Sequence, residues 1–62
     1  MTKRAIRLLL LNRMQQLELI NQAREEFEEK EGLRAVENRI DAILDEINYY
    51  RNLLQKLEED EN

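Results

Sequence analysis

The sequence predicts an all-α fold, an antiparallel two-helix coiled-coil hairpin that dimerises into a four-helix bundle, on three observations. Apolar residues recur from residue 33 to residue 57 in an unbroken three-four spacing, a single glycine is the only helix-stop signal, and opposite charges gather at the two ends of the chain. Each element follows from one of these.

The second helix carries the strongest pattern. Leu33, Val36, Ile40, Ile43, Ile47, Tyr50, Leu54 and Leu57 succeed one another at steps of three and four, the spacing of a coiled-coil seam. Leu33, Ile40, Ile47 and Leu54 hold one heptad position and Val36, Ile43, Tyr50 and Leu57 the other, while Arg39, Asp41, Asp45, Glu46, Arg51 and Glu58 fall off the seam.

The first helix is less regular. One stripe runs Ile6, Leu10, Leu17, Ile20, Phe27, with Arg13 and Arg24 where the seam should continue. A second stripe, Leu8, Leu11, Gln15, Leu19, is displaced by more than a quarter turn. Consecutive leucines from Leu8 to Leu11 cover most of a helix circumference, so one antiparallel neighbour cannot hide them all. Leu8, Leu11 and Leu19 are therefore expected at an oligomer or partner interface, with a second copy as the favoured occupant. A narrower stripe of Ala35, Ala42 and Tyr49 on the second helix suits close approach of another helix and joins the same candidate interface.

Glu31-Gly32 separates the two helices, glycine being suited to the left-handed position after a helix and Leu33 being placed to fold back on Phe27. The phase of the seam supports a turn there. Phe27 and Leu33 are six residues apart, a step that would swing the stripe of a continuous helix away from its partner. The chain is thus read as one hairpin over 1–62, with helix 1 at about 3–30, a turn at 31–32, helix 2 at about 33–58 and a frayed acidic tail at 59–62. Each helix is about 40 Å long at 1.5 Å per residue.

Charge order agrees with an antiparallel arrangement. Lys3, Arg4, Arg7 and Arg13 crowd the start of the chain and Glu58, Glu59, Asp60 and Glu61 its end, each block at the unfavourable end of its helix dipole. Folding back sets the two blocks side by side.

Composition excludes several function classes. Charged residues make up 39% of the 62 residues, with one glycine and no proline, the composition of long helices with a packed seam. A chain this short buries too little surface to be comfortable alone. Without cysteine neither disulfides nor thiolate metal sites can help, and no secretory context is implied. The run Leu8 to Leu11 is far below membrane-spanning length, and no small-residue cleavage site follows it as in a signal peptide. A cytoplasmic location and no membrane partner are expected.

No catalytic residue is assigned. Cysteine, histidine and serine are all missing, which leaves neither a ready nucleophile nor a tunable base, and the chain is read as not an enzyme. Glu37, Asp41 and Asp45 share one side of helix 2, but a metal-binding bundle would want such carboxylates on the seam with a histidine. No metal and no cofactor are expected. Lys3, Arg4, Arg7 and Arg13 form the one basic patch, a possible nucleic-acid contact, set against a net charge of −4 that argues against general affinity for phosphate backbones.

Two slight resemblances bear on function. Met1-Thr2-Lys3, Tyr49, Leu53, Glu61-Asn62 and the overall length resemble the plasmid RNA-one modulator family, which implies a dimeric antiparallel four-helix bundle that binds paired RNA loops. At the positions which that family uses for RNA this chain has Met14, Glu18 and Glu25. Leu44-Asp45-Glu46-Ile47-Asn48-Tyr49-Tyr50 is similar to the second helix of small sporulation-type aspartyl-phosphate phosphatases, with Asp41-Ala42-Ile43 where their Ser-Gln-Glu would stand. The residues themselves point to a protein-binding module, a self-associating small regulator, adaptor or assembly factor that binds its own copy, with another protein as a further candidate partner. A small RNA- or DNA-binding regulator using the basic N-terminal face is the alternative.

Overall fold

The computed structural model describes residues 1–60. Among them the chain is all-helical, as the fold class expected, with α1 at Lys3–Gln22, α2 at Arg24–Glu31 and α3 at Leu33–Asp60. Thr2 starts α1, its hydroxyl oxygen accepting from the Ala5 N–H at 3.1 Å and so satisfying one of the donors that a helix start leaves open.

The first helical arm is not continuous over 3–30. It breaks at Ala23, where φ is −112° and ψ is 29°. Hydrogen bonding passes through the break, since the Ala23 N–H donates to Leu19 and the Ala23 carbonyl accepts from Phe27, both at 3.1 Å. Alanine is the best helix former, so local propensity does not locate this bend. Beyond it Phe27 packs on the core.

Gly32 is the whole connection between α2 and α3. Its φ of 94° is the only positive value among the described residues, and with ψ at 151° it lies in the extended positive-φ region that is essentially restricted to glycine. The expectation of an ordinary left-handed cap is corrected to that extent. The Gly32 N–H donates to Glu28 at 2.8 Å, and its carbonyl accepts from Val36 at 3.2 Å. One residue thereby closes α2 and opens α3. Arg39 reaches across the turn to Glu31 at 2.8 Å.

Two ion pairs give the direction of α3 relative to α1. Arg7 meets Glu58 at 3.3 Å and Arg13 meets Glu46 at 2.6 Å, so α3 runs back along α1. Between them Ile20, Val36, Ile43 and Ile47 form the buried cluster, with Leu10, Leu17, Phe27 and Ile40 packed against it. Ile6 is buried as well. Leu33 departs from the expected seam, being 54% exposed because it is the first residue of α3, and the buried part of the seam begins at Val36. At the other end α3 runs through Glu59 and Asp60, part of the tail expected to fray, and Glu61 and Asn62 lie outside the described residues.

The result is a rod of 48 × 16 × 14 Å with a radius of gyration of 14.3 Å. A compact domain of this length would have about 11 Å. The elongated shape governs how much surface is left uncovered.

Candidate interaction surface

Two concavities stand out among the described residues. The apolar one is an open groove of about 370 Å³ between Gln16, Leu19, Ile20 and Phe27 on the first arm and Arg39, Ala42, Ile43 and Glu46 on α3. Ile20 and Ile43 belong to the core cluster, so the groove is a place where the core reaches the surface. Ala42 is the smallest side chain lining it.

Both charged groups at this groove are paired within the chain. Arg39 is held by Glu31 and Glu46 by Arg13; the hydrogen bond to Glu46 also raises the Arg13 pKa above its ordinary value. Arg13 bonds Asn12 in addition. A ligand in the groove would thus meet apolar walls and charges that already have partners. Arg24, the other cation expected on the seam, pairs along its own helix with Glu28 at 2.8 Å.

The residues expected at an interface are all exposed, but they do not form one patch. Leu19 and Ala42 line the groove. Tyr49, 62% exposed, lies one heptad along the same stripe of α3 as Ala42, with its ring edge-on to Tyr50 at 5.3 Å. Ala35 precedes Ala42 by the same interval. On α1, Leu8 and Leu19 are 58% exposed and lie about 20° apart in projection at 100° per residue. Leu11 is exposed too, but about 60° further round than Leu8 and about 80° from Leu19.

The basic patch is partly consumed. Arg7 and Arg13 are committed to Glu58 and Glu46, Arg4 is exposed and Lys3 half-buried.

The second concavity, about 500 Å³, lies beside the Ala23 break among Asn21, Gln22, Arg24, Glu25, Glu26 and Glu28. It is a polar cleft whose only cation is taken by Glu28. Glu37, Asp41 and Asp45 are exposed, and no group of three or more potential ligand side chains is placed to hold a metal ion among the described residues. No described helix is long and apolar enough to cross a membrane.

Sequence reasoning missed the Thr2 cap, the Ala23 bend and the Arg13–Glu46 pair. Thr2 carries a legible signal, a hydroxyl residue just before the apolar repeat. The ion pair needed the register between α1 and α3, which sequence spacing alone does not provide.

No protein-family model matches the chain, no curated protein is significantly similar to it, and no solved structure matches it significantly. The slight resemblances to the RNA-one modulator and the aspartyl-phosphate phosphatases gain no support from these comparisons.

Proposed function

We propose that this chain is a non-enzymatic protein–protein interaction module, a coiled-coil hairpin that self-associates into a dimeric four-helix bundle and works in the cytoplasm as a small regulator, adaptor or assembly factor. The observation that carries this reading is the uncovered surface. The chain exposes 5033 Å² for a mass of 7.5 kDa, whereas a compact monomer of that mass exposes about 4,200 Å². Among the described residues only Ile6, Ile20, Val36, Ile43 and Ile47 are buried apolar side chains, while Leu8, Leu11, Leu19 and Tyr49 stay exposed.

A second copy supplies matching apolar surface in equal amount and completes a four-helix core. The groove favours an apolar occupant, since both of its charged groups are already paired. The nucleic-acid reading has less behind it, because two of its four basic residues are engaged by carboxylates of α3. Retention on heparin that falls steeply with salt would revive it.

Sedimentation equilibrium tests the proposal. A dimer is expected at tens of micromolar, and replacing Leu8 and Leu11 together with glutamine is expected to dissociate it, since burying the exposed half of both leucines contributes roughly 1.5 to 3 kcal/mol per chain. A wild-type monomer at that concentration would remove self-association and leave a docking surface for a different protein.

A further inference from the structure

The backs of the two long helices, the faces turned away from each other, differ in kind. On α3 the back carries Arg34, Asn38, Asp41, Asp45, Asn48 and Asn52, all exposed, and is an ordinary solvated surface. On α1, Leu8, Leu11, Gln15, Leu19 and Gln22 fall within about 80° of arc at 100° per residue. That arc lies about 180° round from Ile6, Leu10, Leu17 and Ile20, the side chains of α1 that are buried or packed on the core. All five residues of the back stripe are exposed and none is charged. Charge enters at its two ends, with Arg4 at the start and Glu26 at the finish, and Glu18 stands at its edge.

The spacing of this stripe is a palindrome. Outward from Gln15 its members stand at steps of four, three and four in both directions, Leu11, Leu8 and Arg4 one way and Leu19, Gln22 and Glu26 the other. Glu26 lies past the Ala23 break, through which the hydrogen-bond ladder continues, and its neighbour Glu25 is exposed too. A stripe of this kind meets a reversed copy of itself position for position. One helix supplies all of it, so no register between helices enters.

We infer that two copies of the chain pack α1 against α1, back to back and antiparallel, about a two-fold axis at Gln15. This rests on the self-association proposed above and specifies the surface that makes it. Leu11 then faces the partner's Leu19, Leu8 faces the partner's Gln22, and each Gln15 faces its own counterpart. A glutamine amide both donates and accepts, so the Gln15 pair satisfies itself across the axis, and a polar layer within an apolar seam fixes its register.

Charge sets the direction. Parallel packing would bring Arg4 onto Arg4 and Glu26 onto Glu26, whereas antiparallel packing brings each Arg4 to the acidic end of the partner's stripe and turns repulsion into two attractive pairs. The two α1 helices form the middle of the four-helix assembly. The α3 helices lie outside them, where their polar backs remain in water.

Cysteine cross-linking reads this geometry directly, because the chain has no cysteine of its own. Gln15→Cys chains are expected to form a disulfide-linked dimer on oxidation, and so are Leu11→Cys chains mixed with Leu19→Cys chains, since facing residues fall near the 7 Å Cα limit for a disulfide. Leu11→Cys or Leu19→Cys alone is expected to give about tenfold less, its two cysteines lying about 12 Å apart along the helices. All three positions are exposed in the protomer, and circular dichroism verifies that each variant is folded. As a second measurement, Arg4→Glu is expected to raise the dimer dissociation constant about fivefold at low salt and to have little effect at high salt.

The outcomes separate the two proposals. A wild-type dimer whose Gln15→Cys variant gives no cross-link overturns this geometry and leaves self-association standing. Leu11→Cys and Leu19→Cys chains that each cross-link to themselves as readily as their mixture does would show parallel packing and overturn it as well. A wild-type monomer overturns both.

Discussion

The seam of α3 and the outer stripe of α1 are built from the same kind of residue and meet opposite fates. Val36, Ile43 and Ile47 are buried, whereas Leu8, Leu11 and Leu19 are left more than half exposed. Hydrophobicity does not distinguish them. What does is phase: α3 keeps its apolar residues on one stripe that a single neighbour can cover, while α1 carries a second stripe that points elsewhere. In a chain with so few buried side chains, the second stripe is apolar surface that the chain itself does not cover, and the first is what holds the two arms together.

The sharpest way to break this comparison is to truncate one residue from each stripe. Ile43→Ala is expected to cost about 2 to 5 kcal/mol through lost burial and a cavity in the core cluster, enough to unfold much of the protein in a urea titration followed by circular dichroism. Leu11→Ala in the same titration, run at a concentration too low for self-association, is expected to stay within about 0.5 kcal/mol. If the two cost the same, Leu11 is buried in solution and the contrast fails.

The next effect concerns the turn. Gly32→Ala forces a side chain into the extended positive-φ region, at about 1 to 3 kcal/mol, although a Cβ there meets no atom within 4 Å. The penalty is therefore one of backbone conformation and not of space. The turn is expected to weaken while helicity persists, which a distance between spin labels at positions 4 and 58 would report. A label distance in the wild type as long as one straight helix would overturn the reversal at Gly32 itself.

A smaller effect is expected at the start of α1. Thr2→Ala removes the side-chain acceptor for the Ala5 N–H and is expected to cost about 1 kcal/mol, measured as a lower urea midpoint. Thr2→Ser should restore most of it, since serine caps as well. Failure of that rescue would assign the loss to something other than the cap.

The smallest effect sharpens the comparison within the outer stripe. Leu11→Gln alone is expected to weaken the dimer less than the double variant with Leu8→Gln does, because Leu8 keeps its contact. A single Leu11→Gln variant that turned fully monomeric would show instead that Leu11 carries the contact.

Much of this molecule was legible in advance because helical periodicity is a local property. The three-four spacing of α3, the glycine at position 32 and the run of charges at each end of the chain announce two helices and a reversal, since each follows from interactions within a few residues. The exposure of Leu8 and Leu11 was legible for the same reason, since four consecutive leucines cannot all face one way, and that of Leu19 because it continues their stripe. Local rules failed at Ala23, where a good helix former sits at a break, and at Leu33, which continues the spacing but is exposed at the helix start.

What the sequence by itself determined is the helical class, the place of the turn and the surplus of apolar side chains on α1, all consequences of backbone propensity and of a repeat that is read along one strand of residues. The tertiary structure alone decided the register between the arms. Only with α3 laid against α1 does Arg13 stand beside Glu46 and does Ala42 come to line a groove with Leu19. Register is a relation between distant segments, and side-chain packing sets it; no spacing within either helix encodes it.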